Sequence, residues 1–113
     1  MKVMVIVKAT PDSEAGVMPS EELMQAVCAA TQELIDAGVL VSGEGLQPSS
    51  KGVRVRLHGD ACTVTPGPFS ATGELIAGFS IWNVASMDEA VAWVKKFPAP
   101  MLAQSDIEIR PLF

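Results

Sequence analysis

The chain has 113 residues, of which 49% are hydrophobic and 19% are charged, and its formal net charge is −5 at pH 7. These values fit one globular domain that buries roughly 65% of its unfolded surface, and they exclude a disordered tail. The acidic balance disfavours binding to nucleic acid or to an anionic membrane, because both need a basic face. With one histidine, two widely spaced cysteines and no cofactor fingerprint, the sequence predicts neither a metal site nor a cofactor.

The first apolar run, Val3 to Val7, lies between two lysines and predicts a strand over residues 2–8. This run is too short for a signal-peptide core or a membrane span, so we expect a cytoplasmic protein. Residues 9–19 form a predicted loop. Asp12 and Ser13 in this loop either support local turns or make a polar lip over a cavity.

Ser20 is a predicted N-cap, and apolar residues at helical spacing predict a helix that ends at Gly38. A second predicted strand starts at Val39 and fades into the glycine-rich segment 43–52. Glu44 lies between two glycines, which permit a bulge that sets the direction of its carboxylate. This carboxylate is therefore either a solvated strand residue or a candidate general base.

Two short runs, 53–57 and 61–65, predict a hairpin whose turn starts at His58. Arg54 and the arginine two residues further on share one face of the hairpin. They either clamp a ligand carboxylate or pair with a strand acid such as Glu108, and the second account is favoured. His58 is either an exposed turn residue or a partner of the aspartate across the turn.

A turn with two prolines ends at Phe69 and is followed by a polar segment that contains Thr72 and Glu74. The longest apolar run, 75–84, then predicts a buried strand. A rigid turn that delivers polar residues to the mouth of a buried strand is one way to build a pocket. Glu74 is either a solvated or ion-paired carboxylate or a candidate base. Trp82 is an apolar anchor first, and on the open sheet face it could also line a cavity or a dimer interface.

Ser86 opens a second predicted helix through a capping box with Glu89, and residues 107–113 predict a last strand. The order strand, helix, strand, inserted hairpin, strand, helix, strand predicts an α+β protein with a ferredoxin-like split βαβ fold. Two helices then cover one face of an antiparallel sheet. The first strand and the run 75–84 are apolar on both faces, so we expect a second copy to cover the other face and form a homodimer.

Short motifs spread over nearly the whole chain, in order and at consistent spacing, are typical of one family. They are Gly43-Glu44-Gly45-Leu46-Gln47-Pro48, Val53-Arg54-Val55-Arg56, Gly67-Pro68-Phe69, Thr72, Glu74, Gly78, Phe79, Met87-Asp88-Glu89-Ala90, Trp93 and Glu108-Ile109-Arg110-Pro111. These pieces resemble the YCII-related proteins, specifically their DGPF-domain branch. The resemblance implies a dimeric α+β barrel of the ferredoxin-like kind.

Most members of that family have no assigned activity, although a relative acts on chlorinated muconolactones. YCII-like members have been proposed to use a His–Asp pair, and some members are fused to sigma factors. Here Pro66 stands where the motif has its name-giving aspartate. Because the only histidine, His58, lies before a hairpin turn, a pair built on the motif aspartate is not available to this chain.

Three functions follow as hypotheses. The first is a lactone-handling or elimination enzyme in which Glu44 or Glu74 is the base and Arg54 orients a substrate carboxylate; it requires a carboxylate in an enclosed cavity. The second is a dimer that binds a small organic acid or lactone without turnover. The third is a regulatory or partner-binding domain with a filled interior. The candidate ligand-binding residues are Arg54, Asp12, Ser13, Thr72, Phe69, Trp82 and His58.

Overall fold

The computed structural model describes residues 1–70, 74–97 and 106–113 of the chain. Its strands are β1 (Lys2–Lys8), β2 (Leu40–Gly45), β3 (Val53–His58), β4 (Ala61–Pro66), β5 (Ile76–Asn83) and β6 (Ile107–Pro111). Four of them form an antiparallel sheet in the order β2-β5-β1-β6, while β3 and β4 pair only with each other. This order, with a helix after β1 and another after β5, confirms the predicted ferredoxin-like α+β fold with an inserted hairpin.

The two long helices begin where the sequence predicts. The helices of the described residues are α1 (Pro11–Glu14), α2 (Glu21–Asp36) and α3 (Met87–Val94), and a 3-10 turn covers Ser49–Lys51. Ser20 Oγ accepts a hydrogen bond from the Leu23 amide at 3.1 Å, as an N-cap does. Gly38, shortly after α2, has a φ of +71°, the left-handed conformation in which glycine ends a helix without a steric penalty.

Local hydrogen bonds explain the starts of the other two helices. The predicted loop over 9–19 is wrong in part, because Thr10 and Ser13 form a capping box that starts α1. The Ser13 amide donates to Thr10 Oγ1 at 3.1 Å, and the Thr10 amide donates to Ser13 Oγ at 2.8 Å. At α3, Ser86 Oγ accepts from the Glu89 amide at 3.2 Å, and the Glu89 carboxylate accepts from the amide that precedes Ser86.

The strand register decides which side chains the helices cover. Val3 pairs with Trp82, and both belong to the buried core with Leu34 of α2 and Ala90 of α3. Trp82 is 1% exposed and stacks on Phe97, with the ring centroids 6.2 Å apart. The prediction that Trp82 lies on the open face is therefore wrong, because residues directly opposite each other in a sheet share a face.

The second face of the sheet is less exposed than its apolar side chains led us to expect. Ile6 pairs with Phe79, and Met4 pairs with Ile81, on the side away from the helices. Ile6 is only 8% exposed within a single chain, and the other three side chains are half-buried. The expectation of a bare second face is wrong, so this face no longer carries the argument for a dimer.

The hairpin of β3 and β4 carries the exposed apolar surface instead. Gly59 has a φ of +59° in its turn, and the register places Val55 opposite Val64. Val53, Val55, Leu57 and Val64 share one face and are between 50% and 78% exposed. Because a two-stranded hairpin alone is marginally stable in water, a partner that covers this face would stabilise it.

Candidate functional site

A cavity of about 630 Å³, partly open to solvent, lies between α2 and the sheet face that the helices cover. Its volume is typical of sites for small organic molecules. The lining side chains are mostly apolar and come from the sheet, from α2 and from the segments that flank the helices. They include Val5, Val7, Pro19, Val27, Leu34, Leu40, Trp82, Val94, Phe97 and Ile107.

Glycines form the part of the sheet beneath this cavity. Gly45 pairs with Gly78, and Gly78 pairs with Val7, so the three residues share the face toward α2. Gly43 lies on the same face opposite Ser80, and a Cβ added to Gly43 would come within 3.0 Å of the Ser80 Cβ. A Cβ added to Gly45 would meet no heavy atom within 4 Å among the described residues beyond its own neighbours. The missing side chain of Gly45 therefore leaves open space, whereas an added Cβ at Gly78 would lie 3.2 Å from the Glu44 carbonyl oxygen and would be tightly packed, as at Gly43.

Two hydroxyl groups in the lining are already used by local structure. Ser13 Oγ donates to the Thr10 carbonyl at 3.0 Å, within the capping box of α1. Thr31 Oγ1 donates to the Val27 carbonyl, one turn earlier in α2, at 2.9 Å. These hydroxyls keep acceptor capacity toward a ligand, but their protons are committed to the backbone.

Two further polar groups in the lining lie on β5. Ser80 and Trp82 share the face that points toward the helices, since both alternate with side chains of the opposite face. The Trp82 indole Nε1 is buried and has no hydrogen-bond partner within the described part of the chain. A buried N–H group without an acceptor is rare in folded proteins.

Glu44 is a lining residue of the cavity and is exposed. It pairs with Phe79, which itself pairs with Ile6 on the face away from the helices. Strand alternation therefore directs the carboxylate away from α2, while the backbone of Glu44 and its two glycine neighbours borders the cavity. β2 is an edge strand of the sheet within one chain, so the exposed carboxylate lies at the sheet edge, on the face opposite the cavity.

Three other predicted residues within the described part of the chain are not brought together at this cavity. Asp12 is exposed in the first turn of α1, and His58 is exposed at the end of β3. Glu74 is exposed and lies outside the described lining of the cavity. Thr72 lies outside the described residues. Their roles in binding or catalysis stay predictions.

Arg54 has an aromatic partner and no acidic one within the described residues. Its guanidinium carbon lies 4.2 Å from the centroid of the Phe69 ring, a cation–π contact. Glu108 is 3.8 Å from Lys8 Nζ and 3.2 Å from Arg110 Nη1. The favoured account, in which Arg54 pairs with Glu108, is therefore wrong.

A hydrogen-bonded junction that the sequence did not reveal fixes the turn before Phe69. The Ser49 amide donates to a Glu14 carboxylate oxygen at 3.0 Å, and Ser49 Oγ donates to the other oxygen. Ser49 Oγ in turn accepts from the Phe69 amide at 3.0 Å. A Cβ on Gly67 would lie 1.7 Å from the Ser49 carbonyl oxygen, so only glycine fits there. Since these residues are far apart in the chain, no local sequence signal identifies the junction.

The described residues show neither a metal site nor a membrane-spanning helix. No group of three or more His, Cys, Asp or Glu side chains in the described ranges is placed to hold a metal ion. No described helix has the length and apolar character needed to cross a membrane.

The fold and the cavity together define a small ferredoxin-like α+β domain. The whole chain, residues 1–113, matches the YCII-related domain, and the chain belongs to the YCII-related family. An uncharacterized protein of Rhizobium meliloti (strain 1021) is 28% identical over 92 residues, which cover 81% of this chain and 74% of that protein.

A solved structure shows the same fold at low sequence identity. It is the 5-chloro-2-hydroxyhydroquinone dehydrochlorinase of Burkholderia phenoliruptrix AC1100 in complex with 2,5-dihydroxybenzoquinone. The similarity has a TM-score of 0.56 at 17% identity, and it covers 100% of this chain and 94% of that one. At this identity the similarity supports the fold alone.

Proposed function

We propose that this protein binds a small cyclic organic molecule in the cavity beneath α2. The observation that carries the proposal is the cavity itself: about 630 Å³ of space, an apolar lining and a glycine floor at Gly45 and Gly78. A flat ring fits such a site because glycine lets a ligand approach the backbone closely. The dehydrochlorinase of similar fold holds a quinone, which makes oxygenated six-membered rings the first ligands to try.

The reaction that we propose for this site is an elimination. A carboxylate removes a proton from a ring hydroxyl, or from a carbon next to a carbonyl group, and the electron pair of that bond forms a new π bond while a leaving group such as chloride departs with the electron pair of its own bond. This step needs a base and no redox partner. We assign the base to Glu44, because it is the carboxylate among the described lining residues. The assignment requires the exposed side chain, which strand alternation directs away from α2, to turn toward the ligand. Glu74 is the second candidate, and Arg54 stays the proposed partner of a substrate carboxylate.

The binding proposal is tested by thermal unfolding of the purified protein with 2,5-dihydroxybenzoquinone, hydroquinones, aromatic acids and lactones. A ligand at 100 times its dissociation constant stabilises the folded state by about 2.7 kcal/mol, which corresponds to a shift of several degrees. The expected result is a shift that grows with ligand concentration for an oxygenated ring. No shift with any member of this set would contradict the proposal as stated.

The catalytic proposal is tested by chloride release from 5-chloro-2-hydroxyhydroquinone. Glu44→Gln keeps the shape of the side chain and removes the base, so the rate should fall by roughly 10²–10⁴-fold. Glu74→Gln is the matched variant and should keep the rate. A loss in Glu74→Gln alone would move the base to that residue. Chloride release that is equal in both variants and in the parent protein would overturn the assignment of a carboxylate base.

We also propose that the protein is a homodimer and, in keeping with the motifs it shares with the DGPF-domain branch, a dimeric barrel. The support is the apolar face of the hairpin, where Leu57 is 78% exposed and Val53 is 63% exposed. Contiguous apolar surface of this kind is typical of interaction sites. The cytoplasmic location stays part of this proposal.

The regulatory or partner-binding hypothesis is disfavoured by the same cavity. That hypothesis predicts a filled interior, whereas the described residues enclose space of ligand size between α2 and the sheet.

A further inference from the structure

The hairpin of β3 and β4 is exposed over its whole length. Every residue of both strands is exposed, and the two strands pair only with each other. The Cα radius of gyration is 15.7 Å, whereas a compact domain of this length has about 13 Å. One chain therefore presents an extended arm, and the described residues leave its apolar face uncovered. This face includes Val53, Val55, Leu57, Cys62 and Val64.

A second exposed apolar surface runs along one flank of α2. Met24, Cys28, Thr31 and Ile35 follow one another at spacings of four, three and four residues, which places them in one row on a helix. Met24 is 44% exposed, Ile35 is 51% exposed, and Cys28 is exposed as well. Thr31 lines the cavity, so this row, which we call the α2 stripe, borders the cavity.

The α2 stripe and the hairpin match in length. The stripe rises about 17 Å along the helix axis from its first residue to its last. Each six-residue strand of the hairpin spans about the same distance. The apolar face of a hairpin can therefore lie along the whole stripe.

The two surfaces belong to segments of opposite charge. Residues 9–48, which include α2, carry seven acidic side chains and no lysine or arginine, whereas residues 49–66 carry three basic side chains and one acidic one. Within the described residues, no ion pair joins the hairpin to α2. A hairpin on α2 of a second copy would bring opposite charges together, whereas two hairpins face to face would bring like charges together. Charge complementarity therefore favours α2 of a second copy as the surface that receives the hairpin.

We propose that the apolar face of the hairpin of one copy packs on the α2 stripe of a second copy of this chain. In a two-fold symmetric dimer the contact occurs twice, since each copy supplies one hairpin and receives one. The inference rests on the proposed homodimer and adds the surface to which the hairpin binds. Because the stripe borders the cavity, the hairpin of one copy lies beside the ligand site of the other.

The two cysteines of the chain report on this contact. Cys28 lies in the α2 stripe, Cys62 lies on the apolar face of the hairpin, and both are exposed. Cys28→Ser and Cys62→Ser each keep one cysteine, and the two variants are co-expressed with different tags and treated with a flexible bis-maleimide. We expect a crosslinked dimer on a denaturing gel from the co-expressed pair and from neither variant alone. Peptide mass spectrometry should then show a link between Cys28 and Cys62.

The outcomes separate this inference from the proposed homodimer. Light scattering coupled to size-exclusion chromatography gives the mass of the parent protein, and a monomer would overturn both. If the protein is a dimer and Cys28→Ser crosslinks by itself, Cys62 of one copy lies near Cys62 of the other. The hairpins would then face each other, so the homodimer would stand and the inference would fall. A dimer in which the co-expressed pair does not crosslink would also overturn the inference.

A pair of lysine variants tests the same contact without chemistry on cysteine. Ile35→Lys places a charge in the α2 stripe, so the dissociation constant of the dimer should rise at least about tenfold. Ala26→Lys is the matched control, because Ala26 is exposed and lies nine residues earlier, on the opposite flank of the helix. Its dissociation constant should stay close to that of the parent protein. Sedimentation equilibrium measures all three, and equal values for the two variants would overturn the inference.

Discussion

Glycine residues serve two opposite purposes in this chain. At Gly45 the missing side chain leaves open space, because an added Cβ would meet nothing within 4 Å in the described part of the chain apart from its own neighbours. At Gly67 the backbone approaches so closely that an added Cβ would lie 1.7 Å from the Ser49 carbonyl oxygen. The first glycine bears on ligand binding and the second on stability, so substitutions at the two positions should have different effects.

We predict that Gly67→Ala lowers the free energy of unfolding by at least about 2 kcal/mol, because two backbone segments must move apart. Gly52→Ala is the matched control in the same junction, since its Cβ would lie 3.6 Å from the Ser49 carbonyl oxygen, an ordinary contact. The control should be neutral or slightly stabilising. Urea unfolding measures both, and equal stability of the two variants would contradict the close packing described for Gly67.

Ser49 joins Glu14 to the Phe69 amide, and removing its hydroxyl leaves that amide without its acceptor and Glu14 with only the Ser49 backbone amide. Ser49→Ala should therefore lower the free energy of unfolding by roughly 1–3 kcal/mol. Ser50→Ala, at the exposed neighbouring position, should change it by less than about 0.5 kcal/mol. Chemical denaturation checks both, and if Ser49→Ala is as harmless as its neighbour, the junction does not hold the turn.

At the scale of the elements, the hairpin of β3 and β4 carries apolar side chains that the described residues of one chain leave exposed. Val55 and Leu57 face solvent on one side, and Thr63 lies on the opposite side, paired with Arg56. An apolar face of this kind, on a hairpin that is marginal alone, supports the proposed contact with a second copy.

We predict that Leu57→Lys weakens the homodimer, because it places a charge in the proposed interface. Thr63→Lys introduces the same residue on the other face of the hairpin and should leave the dimer intact. Light scattering coupled to size-exclusion chromatography gives the mass of each variant. A monomeric parent protein, or a dimer that Leu57→Lys leaves unchanged, would contradict this interface.

The starts of the two long helices and of β1 were predictable from the sequence, whereas α1 and the faces of β5 were not. Cap residues such as Ser20 and Ser86 and the apolar run of β1 act locally, so their patterns predict where helices and strands begin. The run 75–84 is apolar at nearly every position, so it lacks the alternation that identifies a covered face. The pairing of Trp82 with Val3, a residue far away in the chain, decides on which face of the sheet Trp82 lies.

At the scale of the whole molecule, the cavity arises from elements that are distant in the sequence. Leu34 is the one residue of α2 that is fully buried, so the helix covers the sheet without filling the space beneath it. The Gly45 and Gly78 pair that forms the floor comes from two separate strands. The sequence shows Gly43 and Gly45 only as neighbours of Glu44. Their position beneath the cavity follows from their pairing with β5.

The ferredoxin-like order of the sheet and the family could be predicted from the motifs, and both are confirmed. The candidate site could be predicted only in part. Ser13, Glu44 and Trp82 border the cavity, while Asp12, His58 and Glu74 lie elsewhere, because sequence proximity to a turn does not reveal which side of the sheet a turn faces.

Binding in the cavity is the central claim, and calorimetric titration of two strand variants with 2,5-dihydroxybenzoquinone tests it most directly. Gly45→Val adds a side chain on the face toward α2, and Ser42→Val adds the same side chain on the opposite face, where Ser42 pairs with Ile81. We predict that the parent protein and Ser42→Val bind the quinone alike, and that Gly45→Val binds at least about tenfold more weakly, a loss of about 1.4 kcal/mol. Equal affinities for all three proteins, or no binding by the parent, would contradict a ligand site in this cavity.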